Sequence, residues 1–311
     1  MDYILYLLIF CIGTVFGSFF TLAVYRIPLR QDITHTRSYC PKCNHKLSFL
    51  DMIPIFSYIF LGGKCRYCKE KIRIRYLLLE IMSGVVFVLF SLSIKFNMYS
   101  ILIGNIQVIV YLVAGLLYLA TLFIIAGIDK EKIKIEKPVI LFGFICVMLY
   151  IVYLYIVGID TSIYRYVIYL TIFVLLTLFN TIYLRKKVKD SYPIDILLLL
   201  ILMVMFTYEV VCIYTVIITL IAISIHLLLE KINKRRNKSV KTDEKINSKI
   251  PIGFYMCIAN IAILIMTNLY IFNRWLVQKQ VFYTKSYNRY RPQNSKNFEM
   301  SNFNLFHSRN L

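Results

Sequence analysis

Long apolar runs dominate the chain, and short stretches rich in polar and basic residues separate them. Most runs approach the roughly 20 residues that a helix needs to cross the hydrocarbon core of a bilayer. The pattern therefore predicts an all-α polytopic membrane protein with about eight transmembrane helices. The predicted spans cover residues 3–24, 77–95, 101–127, 138–158, 162–184, 194–208, 210–229 and 251–272.

Two features bear on the number of spans. The sixth and seventh form one apolar run that only the tetrad TYEV, around Glu209, interrupts. A single long tilted helix there would leave seven spans instead of eight. The first span begins MDYILYLL, without the basic leader of a cleavable signal peptide, so we expect it to remain as a helix.

Composition and charge support this topology. Hydrophobic residues make up 59% of the 311-residue chain, whereas soluble domains average about half. The net charge is +20, and 27 of the 36 lysines and arginines lie in the loops 25–76, 128–137, 185–193 and 230–250. Because positive charge accumulates in cytoplasmic loops, these loops are predicted to be cytoplasmic. Topology and attraction to anionic lipid explain the charge, so a nucleic-acid partner is not expected.

The loop between the first two spans contains two Cys-x-x-Cys pairs that are separated by 21 residues. Cys40 and Cys43 precede an apolar segment, and Cys65 and Cys68 follow it. This spacing is typical of four-cysteine zinc ribbons, and a cytoplasmic location disfavours disulfides. Four thiolates leave no open coordination position, so we predict a structural zinc ion; four reduced cysteines without a metal are the alternative.

Four segments of this region occur in a familiar order: GTVFGSFFTLAVYRIP, CPKC, FLDMIPIFSYIFLGGKCRYC and KIRIRYLLLEIMSG. Residues 13–84 thereby resemble the amino-terminal part of bacterial prepilin peptidases, the type IV leader peptidases. The resemblance implies an aspartyl endopeptidase that removes the basic leader of type IV prepilins or pseudopilins. It also implies methylation of the new amino terminus by S-adenosylmethionine, with Gly63 as the residue tied to the cofactor. Glu80 is either functional or a partner of Arg73 and Arg75.

The resemblance points to Asp129 as the first catalytic aspartate, because Ile128-Asp129 follows the third span as the family's Ile-Asp does. The alternative is a surface carboxylate that pairs with Lys130 or Lys132. Two carboxylates brought close together cannot both ionise cheaply, so a pair of aspartates would share a proton.

The second aspartate is predicted to be Asp195. The family has Gly-x-Gly-Asp ahead of a leucine-rich helix, whereas this chain has YPID, with Tyr192 and Ile194 at the glycine positions. Asp190 is the second candidate. The loss of both glycines leaves an alternative in which Asp195 is only an acidic residue in the first turn of its helix. The chain would then be a pseudopeptidase or a scaffold for pilus assembly.

These predictions place the chain in the bacterial cytoplasmic membrane, with the zinc-binding domain and both aspartates on the cytoplasmic side. They divide it into a first transmembrane helix (1–24), a small cytoplasmic four-cysteine zinc-binding domain (25–76), a transmembrane aspartyl peptidase domain with a basic loop at 230–250 (77–272), and a basic polar tail (273–311).

Overall fold

The computed structural model describes residues 2–33, 37–40, 42–158, 163–181, 192–236 and 250–270. Residues 1–267 form one compact unit, and almost all of the second unit, Asn268–Leu311, lies outside the described residues. The predicted tail at 273–311, most of the basic loop at 230–250, and Asp190 also lie outside them.

The described part of the chain is helical and contains no β-strand beyond two isolated bridges. Six helices, which begin at Asp2, Arg75, Ile106, Lys137, Glu209 and Ile252, are long and apolar enough to cross a membrane, and the two that end at Phe179 and Phe206 are apolar but shorter. This confirms the predicted all-α fold of a multi-pass membrane protein. The helices are α1 (Asp2–Arg26), α2 (Phe56–Phe60), α3 (Arg75–Ser93), α4 (Met98–Leu102), α5 (Ile106–Lys132), α6 (Lys137–Ile156), α7 (Ile163–Phe179), α8 (Tyr192–Phe206), α9 (Glu209–Arg236) and α10 (Ile252–Tyr270).

The third predicted span, 101–127, is divided between two helices. The short α4 ends at Leu102, and the side chain of Asn105 then caps α5 by accepting the N–H of Val108. Helix α5 continues to Lys132 because the left-handed residue that terminates it is Ile133, with φ 50°. Asp129 therefore lies in the last turn of α5, whereas the sequence placed it after the helix.

The apolar run is divided into two helices at the TYEV tetrad. This agrees with the prediction of two separate spans and not with the alternative of one long tilted helix. Helix α8 ends at Phe206 and α9 begins at Glu209. The carboxylate of Glu209 accepts the hydroxyl of Tyr169 at 2.9 Å, and Arg165 Nε lies 3.6 Å from it. Both partners belong to α7, so a polar contact between helices stabilises the break.

Helices α1 and α3 pack at very close range. A Cβ added to Gly13 would lie 2.7 Å from Cα of Gly84, and one added to Gly17 would lie 2.1 Å from Oγ of Ser83. Ser83 Oγ also donates to the carbonyl of Gly13 at 2.7 Å. Small residues four apart let two helix backbones approach each other in this way in membranes.

Helix α5 is central and is joined to α9 and α10 by a buried polar network. Tyr118 donates to Asn260 Oδ1 at 2.7 Å, and Asn260 Nδ2 donates to Thr215 Oγ1 at 3.1 Å. All three side chains are 0% exposed. Side-chain hydrogen bonds of this kind hold helices together where the hydrophobic effect cannot.

Several chain segments meet at one end of the helix bundle. Arg75, the first residue of α3, forms an ion pair with Glu131 in the last turn of α5. The first residue of α8, Tyr192, and the first turn of α10 also contact the end of α5. The residues between α1 and α3, 27–74, here called the four-cysteine module, therefore begin and end at the same end of the bundle as Asp129.

Candidate functional site

The two Cys-x-x-Cys pairs form turns with the same backbone geometry. The N–H of the first cysteine in each pair, Cys40 and Cys65, donates to the carbonyl five residues later at 3.0 and 2.8 Å. The N–H groups of Asn44 and Lys69, which follow the second cysteines, return to the carbonyl of the first at 2.8 and 3.0 Å. Asn44 and Lys69 both have positive φ, 55° and 58°. Each turn therefore presents two thiols on the same side.

The two turns bring the four thiols together. The Sγ atoms of Cys40, Cys43, Cys65 and Cys68 all lie within 4.8 Å of one another, and those of Cys40 and Cys68 are 3.8 Å apart. A tetrahedral site with metal–sulfur bonds of about 2.3 Å has sulfur–sulfur edges of about 3.8 Å. Burial acts to raise the pKa of Cys40, but the N–H groups of Cys43 and Lys42 and the neighbouring thiols outweigh it and lower the pKa to about 7. The cluster could thus hold a metal ion, as predicted.

Arg26 fixes the first turn to the end of α1. This last residue of the helix is only 3% exposed. Its Nη1 donates to the carbonyl of Asp32 at 2.9 Å and its Nη2 donates to that of Arg37 at 3.1 Å. The guanidinium also lies over the ring of Tyr39, 5.7 Å from the centroid. Tyr39 directly precedes Cys40, so the buried arginine positions the first pair of thiols.

Asp51 fixes the apolar segment of the module to the second turn. Its side chain is 2% exposed, and it accepts Arg66 Nε at 2.6 Å and Ser48 Oγ at 2.7 Å. Burial alone would raise the pKa of Asp51, but the donors from Ser48 and Arg66 outweigh it and lower the pKa below its ordinary value. Sequence reasoning gave this residue no role, because its partner Arg66 is recognisable only after the module has folded.

Gly63 has a positive φ of 66°, and a Cβ there would lie 2.9 Å from the ring of Tyr58. Its N–H donates to the carbonyl of Tyr58 at 2.8 Å, and its carbonyl accepts the N–H of Ile72 at 2.7 Å. These constraints account for a glycine at this position. The predicted role of Gly63 in cofactor binding stays a prediction.

Glu80 holds the backbone of the four-cysteine module. Its Oε2 accepts the N–H of Ile55 at 2.8 Å, and the side chain of Ser18 also hydrogen-bonds to it. Of the arginines that the sequence proposed as its partners, Arg75 pairs with Glu131 instead. Glu80 therefore links α1, α3 and the module.

Asp129 is completely buried, at 0% exposure. Its Oδ2 accepts the hydroxyl of Tyr192 at 3.0 Å and the N–H of Phe254 at 2.9 Å, and a Cβ on Gly253 would lie 3.1 Å from the same oxygen. Among the described residues, Oδ1 is buried without a hydrogen-bond partner. The alternative of a surface carboxylate does not hold, and Lys130 lies over the ring of Phe254 at 4.7 Å.

Asp195 lies in the first turn of α8 and is 3% exposed. Its Oδ1 accepts Nδ2 of Asn180 at 3.1 Å. Tyr192 precedes Asp195 by one turn and contacts Asp129 through its hydroxyl. Both predicted aspartates therefore lie buried at the same end of the bundle, on neighbouring elements.

Three neighbours of the aspartates were not found from the sequence: Asn180, the hydroxyl of Tyr192, and the N–H of Phe254. Pro251 and Gly253 at the start of the last span carry a usable signal, because proline and glycine mark a helix start and a close approach. Asn180 is a lone amide at the end of an apolar run, and such a residue has no distinguishing pattern.

A family model described as Bacterial Peptidase A24 N-terminal domain matches residues 11–94. A prepilin leader peptidase/N-methyltransferase of Vibrio cholerae is 38% identical over 89 residues, which are 26% of this chain and 35% of that protein. Proteins of the same name match from Klebsiella pneumoniae, 33% identical over 129 residues (40% of this chain, 51% of the relative), and from Bacillus subtilis, 29% identical over 135 residues (43% and 50%).

The chain thus spans about half or less of the length of these relatives. No solved structure matches it. The matched region ends just after α3 and contains all four cysteines, Arg26, Gly63 and Glu80. Residues 11–94, the section that holds the paired cysteine turns between two apolar helices, are similar to bacterial peptidase A24 N-terminal domains.

Proposed function

We propose that this chain is a membrane aspartyl endopeptidase that removes the basic leader from type IV prepilins or pseudopilins at the cytoplasmic face of the membrane. Asp129 and Asp195 are the proposed catalytic pair. The observation that carries the proposal is the burial of both carboxylates at one end of the bundle, where Tyr192 links the start of α8 to Asp129. The names of the relatives that match part of the chain support it.

In this proposal the two carboxylates share one proton, because two adjacent anions in a buried site are unfavourable. The ionised aspartate takes a proton from water, whose oxygen attacks the scissile carbonyl carbon. The protonated aspartate donates its proton to the carbonyl oxygen, giving a tetrahedral intermediate. Its collapse breaks the C–N bond, and a proton passes to the leaving nitrogen. Oδ1 of Asp129, which has no hydrogen-bond partner among the residues that the structure describes, is available to take part, since Oδ2 already accepts two hydrogen bonds.

The substitution of glycine by Tyr192 is consistent with a working site. A glycine would allow a close backbone approach, whereas Tyr192 reaches Asp129 with its side chain and donates a hydrogen bond to it. A scaffold that has lost cleavage would not need this contact. The contact favours the peptidase over the pseudopeptidase.

Two further groups belong to the proposal. The residues that would hold zinc are Cys40, Cys43, Cys65 and Cys68, and a four-thiolate zinc ion stabilises a fold without offering a site for water. The relatives are named N-methyltransferases, and S-adenosylmethionine would supply the methyl group for the new amino terminus, as the resemblance implies. Gly63 is the residue that we propose for binding this cofactor, and its φ of 66° and the 2.9 Å between an added Cβ and Tyr58 also favour glycine there.

The test is co-expression of the chain with a prepilin, followed by mass spectrometry of the prepilin's amino terminus. The parent chain and the variants Asp129→Asn, Asp195→Asn and Asp2→Asn are compared at equal membrane levels. Asp2 is a matched control, because its carboxylate accepts the N–H of Met98 at the far end of α1.

Leader removal by the parent and the Asp2 variant, but by neither of the other two, supports the aspartyl pair. An added methyl group on the product locates the second activity in the same chain. An intact leader in every sample would overturn the peptidase and favour the pilus-assembly scaffold.

A further inference from the structure

Between residues 49 and 60 of the four-cysteine module, five large apolar side chains face outward. Four of them lie on two turns, residues 50–52 and 56–60, that contact each other, and the fifth, Phe49, directly precedes the first of these turns. The aromatic rings of Phe56 and Phe60 stack, with their centroids 6.5 Å apart. A small water-soluble domain does not normally leave so many apolar side chains in contact with water. We call this set the apolar edge: Phe49 (76% exposed), Leu50 (64%), Phe56 (60%), Ile59 (62%) and Phe60 (83%).

The apolar edge lies beside the first turns of α3. The N–H of Ile55, between the two turns, donates to Glu80 at 2.8 Å. Glu80 is the sixth residue of α3, about 7.5 Å along the helix axis from Arg75. Glutamate side chains lean back toward the helix start by about one turn. Ile55 is thus level with the first turns of α3, and Ser18, eight residues before the end of α1, contacts the same glutamate.

This level coincides with the membrane surface. Helix α3 has 19 residues, so it is about 28 Å long, close to the roughly 30 Å of a bilayer's hydrocarbon core. A helix of that length has to begin at the surface of the hydrocarbon in order to span it. Its first turns, and the apolar edge beside them, therefore lie in the interfacial zone.

The backbone at this point is held in a strained shape. Ile55 has φ 63° and ψ −56°, and the N–H of Phe56 donates to the carbonyl of Pro54 at 2.6 Å, which is a γ-turn. A β-branched residue with positive φ is unfavourable and has to be held by its surroundings. The hydrogen bond from Ile55 to Glu80 supplies this restraint and connects the segment between the two turns to α3.

The charges around the apolar edge complement an anionic lipid surface. The segment that follows it carries exposed cations at Lys64, Lys69, Lys71 and Arg73. Over residues 27–74 there are nine lysines and arginines and three carboxylates, one of which is the buried Asp51. Exposed cations beside an inserted apolar surface are typical of interfacial membrane anchors. A basic peptide would meet repulsion here, so lipid fits better than a basic leader.

We propose that the apolar edge inserts into the interfacial zone of an anionic bilayer, so that the four-cysteine module is a membrane-seated platform. Phe49, Phe56 and Phe60 contact acyl chains near the headgroups, and the cations from Lys64 to Arg73 contact the headgroups themselves. The proposal does not depend on the catalytic role of Asp129 and Asp195.

The test uses the full chain in nanodiscs containing phosphatidylglycerol and brominated lipids, which quench tryptophan fluorescence on contact. The chain's one tryptophan, Trp275, is first replaced by phenylalanine. Single tryptophans are then introduced as Phe60→Trp and Phe49→Trp. Leu89→Trp in the second half of α3 (43% exposed) is the embedded control, and Tyr67→Trp between the second pair of cysteines (44% exposed) is the control outside the apolar edge.

We expect lipids brominated near the headgroup end to quench the Phe60→Trp and Phe49→Trp variants at least about twofold more than the Tyr67→Trp variant. Lipids brominated deeper should quench the Leu89→Trp variant most. Replacing phosphatidylglycerol by phosphatidylcholine should reduce quenching at positions 49 and 60; unchanged quenching would overturn the role given to the cations.

The proposal would be overturned if lipid quenches both edge variants no more than the Tyr67→Trp control and aqueous acrylamide freely quenches their tryptophans. If lipid has no effect but added prepilin shifts and protects the fluorescence, the apolar edge is a substrate surface and the lipid proposal fails. Two positions are used so that misfolding of one variant, visible as loss of its protein from the nanodiscs, does not decide the result.

Discussion

One oxygen of Asp129 accepts a hydrogen bond from a side chain and another from the main chain. Only the side-chain donor can be removed by a substitution that leaves the backbone in place. Tyr192→Phe deletes the hydroxyl that lies 3.0 Å from Oδ2 and keeps the ring. A hydrogen bond to a charged group contributes about 1.5–3 kcal/mol, so leader cleavage should slow about 10- to 100-fold. The measurement is the initial rate of cleavage in membranes, at matched protein levels.

Tyr164→Phe is the control for this change, because Tyr164 is 82% exposed and lies on α7. Its cleavage rate should equal that of the parent. A Tyr192→Phe variant that cleaves at the parent rate would show that the hydroxyl only fills space beside Asp129.

Asp51 is the second residue whose contribution can be isolated. Its pKa is lowered in the folded chain, so its stabilising effect is present above the ordinary carboxyl value of about 4 and is lost only as the pH falls through the lower folded value. Asp51→Asn weakens the attachment of the turn from Cys65 to Cys68 by a free energy of about 1 kcal/mol. This corresponds to about fivefold faster release of zinc to a chelator.

Because Asp51 stays ionised from pH 5 to 8, the ratio of release rates between variant and parent should be constant over that range. Glu70→Gln, an exposed carboxylate of the same module, should match the parent. A ratio that collapses between pH 8 and pH 5 would contradict the lowered pKa.

At the scale of helices, the contact of α1 with α3 depends on the absence of side chains. Gly17→Val places methyl groups where a Cβ alone would already lie 2.1 Å from Ser83 Oγ. Overpacking of this kind destabilises by about 1–3 kcal/mol. We expect a lower thermal unfolding midpoint in detergent, and weaker metal retention, since both ends of the module are carried by these helices.

Val15→Leu adds volume to the same helix on a side chain that is 58% exposed, and it should leave the midpoint unchanged. Equal effects of the two substitutions would mean that the close approach of α1 to α3 is not what stabilises this pair.

The sequence was most informative where hydrophobic periodicity or cysteine spacing determines structure. The apolar runs became α1, α3 and α5–α10, and the two cysteine pairs converge on one point. The sequence was less informative where contacts between distant segments determine the end of a helix or the partners of a side chain. The end of α5 at Ile133 depends on a left-handed residue, and the partners of Glu80 and Asp129 come from segments 25 and more than 60 residues away.

At the scale of the whole molecule, the metal should stabilise the four-cysteine module and leave the bundle of helices intact. Cys65→Ser removes the most buried thiol of the cluster and should abolish tight binding of zinc. Metal analysis should show the loss, while far-UV circular dichroism keeps most of its helical signal. The exposed Cys11 offers the control Cys11→Ser, which should retain zinc.

Unchanged metal content in the Cys65 variant would contradict four-thiolate binding. A collapse of the helical signal on loss of zinc would instead show that the module and the helices fold as one unit.

The four-cysteine module is hydrogen-bonded to the bundle at two places, through Arg26 at the end of α1 and through Glu80 on α3, and the Arg75–Glu131 ion pair joins α3 to α5 where the chain leaves the module. These contacts restrain movement of the module relative to the helices. We therefore expect a polypeptide that is handled first beside Asp129 and then at the module to move between the two places itself.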